Sequence, residues 1–434
     1  MSPVVLGIVA IVIMIVLFLL RMPVGFAMAF VGFIGFSLLI GLEPGMGLLA
    51  RDFFDIFSSY SLTVIPMFVL MGALAFTTGI SSRLYKAGYT LLGRFPAGLA
   101  LATIAACAGF AAICGSTNAT AASMGKVALP EMKKYGYDDA LATGCVAASG
   151  SLGILIPPST ILLVYGILTE QSIGKLFIAG VLPGIMLAIM FGITVVLLCV
   201  RNPSIAPPGQ SSTLKEKTQG ILSASETLVL FLLVILGLFL GWFSPTQAGA
   251  AGAAGVVIIG IVRRTLSWKG FMEGVRDALR ISCMIMVIVA GATIFGHFIA
   301  ITKIPLILAD WVSALNISSM AVMALIVLIY LIGGCFMDSL ALITLTIPIF
   351  YPLVVQLGFD PIWFGVIIVL VTEMGVITPP VGVNVYVIKG ISQGVPIETI
   401  FKGIFPFLAT LVVAVAILMA FPIIATYLPS FMLY

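Results

Sequence analysis

Short polar, Gly- and Pro-rich breaks interrupt apolar runs of membrane-spanning length, and no other feature restricts the fold of this chain as much. A helix needs about 20 apolar residues to cross a bilayer. Segments 3–20, 24–41, 61–78, 176–200, 225–242, 245–262, 281–300 and 404–427 meet that requirement. Between them lie two apolar but interrupted stretches, 96–168 and 319–391. Their breaks read CGSTNAT (114–120), SGSLGILIPPS (149–159), GGCFMDS (333–339) and TEMGVITPPVGVN (372–384). Irregular backbone at membrane depth persists only where protein or a watery cavity covers it. The breaks therefore mark a site. Composition agrees, with 62% hydrophobic and 8% charged residues and a mean hydropathy of +1.28. A soluble domain is about a quarter charged, so lipid is the solvent here. Soluble enzymes, nucleic-acid binders and disordered proteins are excluded.

The six cysteines (Cys107, Cys114, Cys145, Cys199, Cys283, Cys335) form no CxxC pair, and His297 is the only histidine. Neither a metal centre with several converging ligands nor a disulfide framework fits that pattern. All six thiols are expected to be buried, and His297 to be a packed helix residue. The run 3–20 has no basic flank and no small-residue cleavage site, so it reads as a retained first helix.

The two interrupted stretches are related by a shift of 222 residues. It brings Gly136-Tyr137-Asp138 onto Gly358-Phe359-Asp360, Gly153 onto Gly375, and Pro157-Pro158 onto Pro379-Pro380. Pro23 falls on Pro245 and Pro130 on Pro352, which makes an internal duplication. Basic residues favour the cytoplasmic side. A trace with re-entrant tips at 114–120 and 337–340 puts 16 of the 20 basic residues on one side. They include Arg21, Arg83, Lys133, Arg201, Arg263, Arg276 and Lys402, whereas Arg51, Lys175 and Lys303 fall opposite. Both termini then lie outside, the first hairpin opens inward and the second outward. The expected fold is an all-α polytopic membrane protein of two inverted repeats, each with a re-entrant helical hairpin and a broken helix. That is the build of a secondary transporter.

The first tip turns on Gly115, and Ser116, Thr117 or Asn118 caps the next helix. The free N–H groups of that helix favour an anion, and the carbonyls of the preceding helix suit a hard cation such as Na⁺. Gly150, Gly153, Pro157 and Pro158 open the facing backbone, leaving carbonyls around Ile156 as ligands. In the second copy, Gly333 and Gly334 precede Asp338, while Gly375, Thr378 and Pro379 form the break. An acid at the bilayer centre costs roughly 2.5–3.5 kcal/mol. Asp338 is either a helix cap or a cation ligand. Glu373 either pairs within the scaffold or serves as a coupling residue. Asn118, Thr120, Asn384 and Tyr386 are candidates for the substrate anion; Lys126 either neutralises it or snorkels to the cytoplasmic edge, the latter being favoured. Amphipathic segments 80–95 and 263–280 read as interfacial arms, and 201–219 as a flexible cytoplasmic connector.

The stretches GSTNATAASMGKVALPEMKKYGYDDALATG, GSLGILIPPSTILLVYGILTEQSIGKLFIAGVLPG and GVITPPVGVNVYVIKG resemble the large membrane subunit (DctM-like) of TRAP, the tripartite ATP-independent periplasmic transporters. The resemblance covers nearly the whole chain. It implies Na⁺-driven import of a small organic anion, a carboxylate or sulfonate, across a bacterial or archaeal inner membrane by an elevator motion. Cation sites would fall at Ser116–Asn118 with Gly153–Pro157 (Ser116, Thr117, Asn118, Gly153, Ile156, Pro157), and at Gly333, Gly334 and Asp338 with Gly375, Thr378 and Pro379. It also implies two partners, a separate small four-helix membrane subunit and a soluble periplasmic binding protein. The chain then divides into scaffold and arm (1–95), first hairpin and broken helix in the transport domain (96–175), and spanning helix with linker (176–224). A second scaffold and arm (225–318), second hairpin and broken helix (319–395) and C-terminal helix (396–434) follow. The alternative is a stand-alone Na⁺- or H⁺-coupled anion symporter of related fold. An intramembrane enzyme would need a nucleophile with a base or a metal motif, and the sequence has neither.

Overall fold

The computed structural model describes residues 2–207, 212–314, 317–392 and 394–432. Among them all regular structure is helical. The first half comprises α1 (Pro3–Leu19), α2 (Val24–Ile40), α3 (Leu42–Ser58), α4 (Val64–Thr77), α5 (Ile80–Leu92), α6 (Gly98–Cys114), α7 (Thr117–Lys134), α8 (Asp139–Gly150), α9 (Leu152–Leu155), α10 (Thr160–Leu168) and α11 (Ile173–Arg201). The second comprises α12 (Leu214–Phe239), α13 (Pro245–Val262), α14 (Trp268–Thr302), α15 (Ile304–Ala314), α16 (Ser319–Gly334), α17 (Ser339–Gln356), α18 (Pro361–Ile377), α19 (Val383–Ile391), α20 (Ile397–Ala420) and α21 (Ile423–Thr426). Eight helical segments among the described residues are long and apolar enough to cross a membrane. Large apolar side chains such as Leu19, Leu38, Val229 and Ile261 face outward, a surface suited to lipid and not to water. The chain is a multi-pass membrane protein.

Helix bounds follow the 222-residue shift closely. Adding it to Thr117–Lys134 gives Ser339–Gln356, the bounds of α17. Adding it to α2, α6 and α10 lands within two residues of the ends of α13, α16 and α19. Packing is reciprocal as well. α2 lies on α14 while its mate α13 lies on α4, and α7 meets α19 while α17 meets α10.

Three segments differ from the sequence reading. Segment 263–280 is not a separate arm, because α14 runs unbroken from Trp268 to Thr302. Its mate in the first half is α3, a separate amphipathic helix that the hydropathy pattern left unassigned. The connector 201–219 is helical from Leu214; its residues 208–211 lie outside the described residues. Thr213 and Glu216 close that helix start reciprocally, with the Thr213 N–H donating to Glu216 Oε2 at 2.7 Å and Glu216 N–H donating to Thr213 Oγ1 at 3.3 Å. The last spanning helix, α20, stops at Ala420, just before Pro422, and not at 427; the short α21 follows, and residues 433–434 of the expected C-terminal segment lie outside the described residues.

The second hairpin and second broken helix approach through two glycines. A Cβ on Gly375 would run into the Gly334 backbone. Only a residue without a side chain lets α16 and α18 pass this closely. Gly375→Val should therefore destabilise the detergent-solubilised protein by about 1–3 kcal/mol, read as a lower thermal transition. Gly390→Ala, at a glycine with no neighbour within 4 Å, should leave the transition unchanged.

Candidate functional site

Local capping builds both hairpin tips. α6 ends at Cys114, and Gly115 turns the chain with φ +62°, a left-handed backbone that glycine adopts without strain. Ser116 is extended, and its Oγ accepts the Ala119 N–H at 3.5 Å to cap α7. The Thr160 hydroxyl donates to the Gly115 carbonyl at 3.0 Å and ties this tip to the start of α10. At the second tip Asp338 caps α17, its Oδ2 accepting the Leu340 N–H at 3.1 Å. The first broken helix runs through α8 and α9, becomes extended at Ile156, and restarts as α10 with Ser159 as its cap. The second stops at Ile377 and restarts at Val383. Pro157-Pro158 and Pro379-Pro380 are both cis.

The two tips meet at Glu373. This side chain, on α18, is 2% exposed. The Thr117 hydroxyl donates to its Oε2 at 3.0 Å, and the Ser339 hydroxyl to its Oε1 at 3.3 Å. Thr117 and Ser339 each open the second helix of their hairpin, and they are mates under the shift.

Above this junction lies a cavity of about 940 Å³. Its floor consists of mate pairs: Ser116 with Asp338, Thr117 with Ser339, Asn118 with Leu340, and Ile154 with Val376. Its walls come from α2, α4 and α14. They begin at Pro23, Thr77 and Asp277, within a few residues of Arg21, Arg83 and Arg276. Among the described residues three carboxylates, Asp277, Asp338 and Glu373, line the cavity, and no Lys, Arg or His is among its lining residues.

The structure thus brings Ser116, Thr117, Asn118, Asp338 and Glu373 together, and adds Ser339 and Asp277, which sequence reasoning missed. The shift that pairs Thr117 with Ser339 is the signal that could have found the former. Gly153 lies beneath the floor, where a Cβ would be 2.7 Å from the Ser116 carbonyl oxygen. Ile156 and Pro157 are buried in the first break, and Gly333, Gly334 and Gly375 in the α16–α18 region flank the floor without lining it. Thr378 turns its hydroxyl onto the Met374 carbonyl, and Pro379 is exposed. Thr120 is fully buried under the first tip. Asn384 is buried against α8, its Nδ2 donating to the Ala147 carbonyl at 3.3 Å, and Tyr386 is exposed elsewhere. Lys126 is not itself a lining residue, but its Nζ lies 5.3 Å from the ring centre of Phe76, which lines the cavity.

Two minor readings change. Cys107, Cys114, Cys145 and Cys199 are buried, but Cys283 is exposed on the cavity side of α14 and Cys335 is partly exposed. His297 is no plain packing residue: its Nδ1 lies 2.8 Å from Oδ2 of the buried Asp52. Such a partner, 245 residues away, leaves no local trace in the sequence.

His297 borders a second cavity of about 980 Å³. The walls of the two cavities are also mates. Pro23, Val24, Asp277, Ile281, Cys283 and Met284 line the first; Pro245, Thr246, Asp55, Ser59, Ser61 and Leu62, their mates under the shift, line the second.

Multi-pass, all-helical and hollow where two hairpins meet, the molecule has the build of a membrane transporter. Its fold matches that of Neisseria gonorrhoeae MtrF, described as an antimetabolite efflux pump, with a TM-score of 0.66 at 16% identity over 97% of this chain and 95% of that one. The chain belongs to the family of the DctM component of tripartite ATP-independent periplasmic transporters, whose model matches residues 11–424. It is 36% identical over 383 residues to the C4-dicarboxylate TRAP transporter large permease protein DctM of Pseudomonas aeruginosa, covering 88% of this chain and 87% of the relative. It is 31% identical over 413 residues to the sialic acid TRAP transporter large permease protein SiaM of Vibrio cholerae, covering 95% and 96%. This is a family of transporters, not enzymes.

Cys283 gives the cavity a native reporter. A maleimide should label it much faster than Cys107, Cys114, Cys145 or Cys199, and occupancy of the cavity by transported solute should slow that labelling. Equal labelling of all five, measured by mass spectrometry of the digested protein, would contradict the geometry.

Proposed function

We propose that the chain is the large membrane subunit of a tripartite importer that moves a small organic anion, a carboxylate or sulfonate, together with Na⁺ across a prokaryotic inner membrane. One observation carries the reading: among the described residues the charged and strongly polar side chains that line the otherwise apolar cavity between the hairpin tips are carboxylates, hydroxyls and Asn118, and Lys126 approaches only over the Phe76 ring of its wall. An anion about 4 Å from a carboxylate is repelled by about 4 kcal/mol at an effective dielectric constant of about 20. A cation held between the two reverses that sign. The N-terminal ends of α7 and α17 both reach the floor, and their free N–H groups favour the anion.

In this reading Ser116, Thr117 and Asn118 hold one cation and the end of the anion. Asp338 supplies the charge that holds another. The resting cavity faces the side rich in basic residues, the cytoplasm, so both termini lie in the periplasm. The duplicated halves are inverted repeats, and the hairpins with the broken helices move as an elevator against α2, α4 and α14. The reciprocal helix pairing and the matched walls of the two cavities support alternating access of this kind, because each wall can receive the same moving floor. The dicarboxylate and sialic acid relatives support a carboxylate as cargo, and the family's tripartite character supports a small membrane subunit and a periplasmic binding protein as partners.

Uptake into proteoliposomes containing this chain tests the reading. With the small subunit and the substrate-loaded binding protein present, uptake should require an inward Na⁺ gradient. Robust uptake by this chain alone would favour a stand-alone symporter, and uptake indifferent to Na⁺ would remove the coupling ion.

A further inference from the structure

We infer that Glu373 is a positioning residue that ties the two hairpin tips into one unit, so that a cation bound at one tip is felt at the other. The inference rests on the Na⁺-coupled reading but adds the link between its two sites. Three features point to it. First, the carboxylate spends one oxygen on each tip, accepting from Thr117 at 3.0 Å and from Ser339 at 3.3 Å. Second, neither hydroxyl is needed to cap its helix. Ser116 and Asp338 already do that, so the Thr117 and Ser339 hydroxyls are free to meet Glu373. Third, the device is single although its two partners are mates. The position matching Glu373 is Ser151, whose hydroxyl turns back to the Ala148 carbonyl at 2.5 Å.

The consequence is mechanical. Movement of either tip stretches a buried hydrogen bond to a side chain that also holds the other tip. Ordering one tip around a cation therefore pre-orders its mate, which appears as cooperativity between cation sites.

The test uses the complete assembly in proteoliposomes, with uptake titrated against Na⁺ for the unaltered protein, Glu373→Ala, Glu373→Gln and the double variant Thr117→Val/Ser339→Ala. The unaltered protein should show a Hill slope of about 2, and Glu373→Ala and the double variant about 1, with Na⁺ half-activation raised about 5-fold or more. Glu373→Gln should keep most of the cooperativity, because the amide can accept from one hydroxyl and donate to the oxygen of the other. Adding the double substitution to Glu373→Ala should change the slope no further. Should Glu373→Ala not fold, the double variant, which leaves the carboxylate in place, makes the same comparison.

Unchanged slope and half-activation in the double variant would overturn the tether, as would Glu373→Gln behaving like Glu373→Ala. Failure of the import reading looks different, since uptake by the unaltered protein would then ignore Na⁺.

Discussion

Lipid offers no hydrogen bonds, so a backbone that stops being helical inside a membrane must be covered by the protein itself. Most of this architecture follows from that constraint. The chain breaks its helices in four places and closes each break locally or against another break. Ser116, Ser159 and Asp338 cap the helices that restart, and Thr160 covers the exposed carbonyl of Gly115. What local capping leaves open is closed where the tips converge on Glu373. Covering the breaks and building the cavity floor are thus the same act.

The cavity then acquires its chemistry from what the chain lacks. With 8% charged residues, few charges are available at depth, and those lining the cavity are all acidic. A buried acid with no basic neighbour needs either a proton or a cation. Hydroxyls, helix N-termini and carboxylates meet in one floor, which is the donor and acceptor set the proposed pairing of cation and anion requires.

Much of this was legible in the sequence because helix caps and breaks are local. The turn on Gly115, the caps at Ser116 and Asp338, the proline breaks and most spans are written within a few adjacent residues, and the 222-residue shift ties them into pairs. Partnerships between distant segments were not legible. Glu373 meets Thr117 across 256 residues, and nothing near either residue announces the other. His297 and Asp52 escaped for the same reason. Asn384 reads as a substrate candidate because it follows a break, whereas its contact with the Ala147 carbonyl, 237 residues away, has no local signal. The mate of segment 263–280 could have been found, since the shift leads directly to α3. Its lower hydropathy concealed it from a search for spans.

The matched walls allow a direct test of whether one floor serves two cavities. Ala119 lines the first cavity together with Cys283, and the mate of Cys283 in the second cavity is Ser61. In a chain whose other cysteines are replaced, Ala119→Cys can be cross-linked with a short bifunctional maleimide either to Cys283 or, with Cys283 replaced, to Ser61→Cys. The account predicts both cross-links, each favoured by opposite conditions of Na⁺ and substrate. If Ala119→Cys never reaches Ser61→Cys in a variant that still transports, the floor does not move between the two walls.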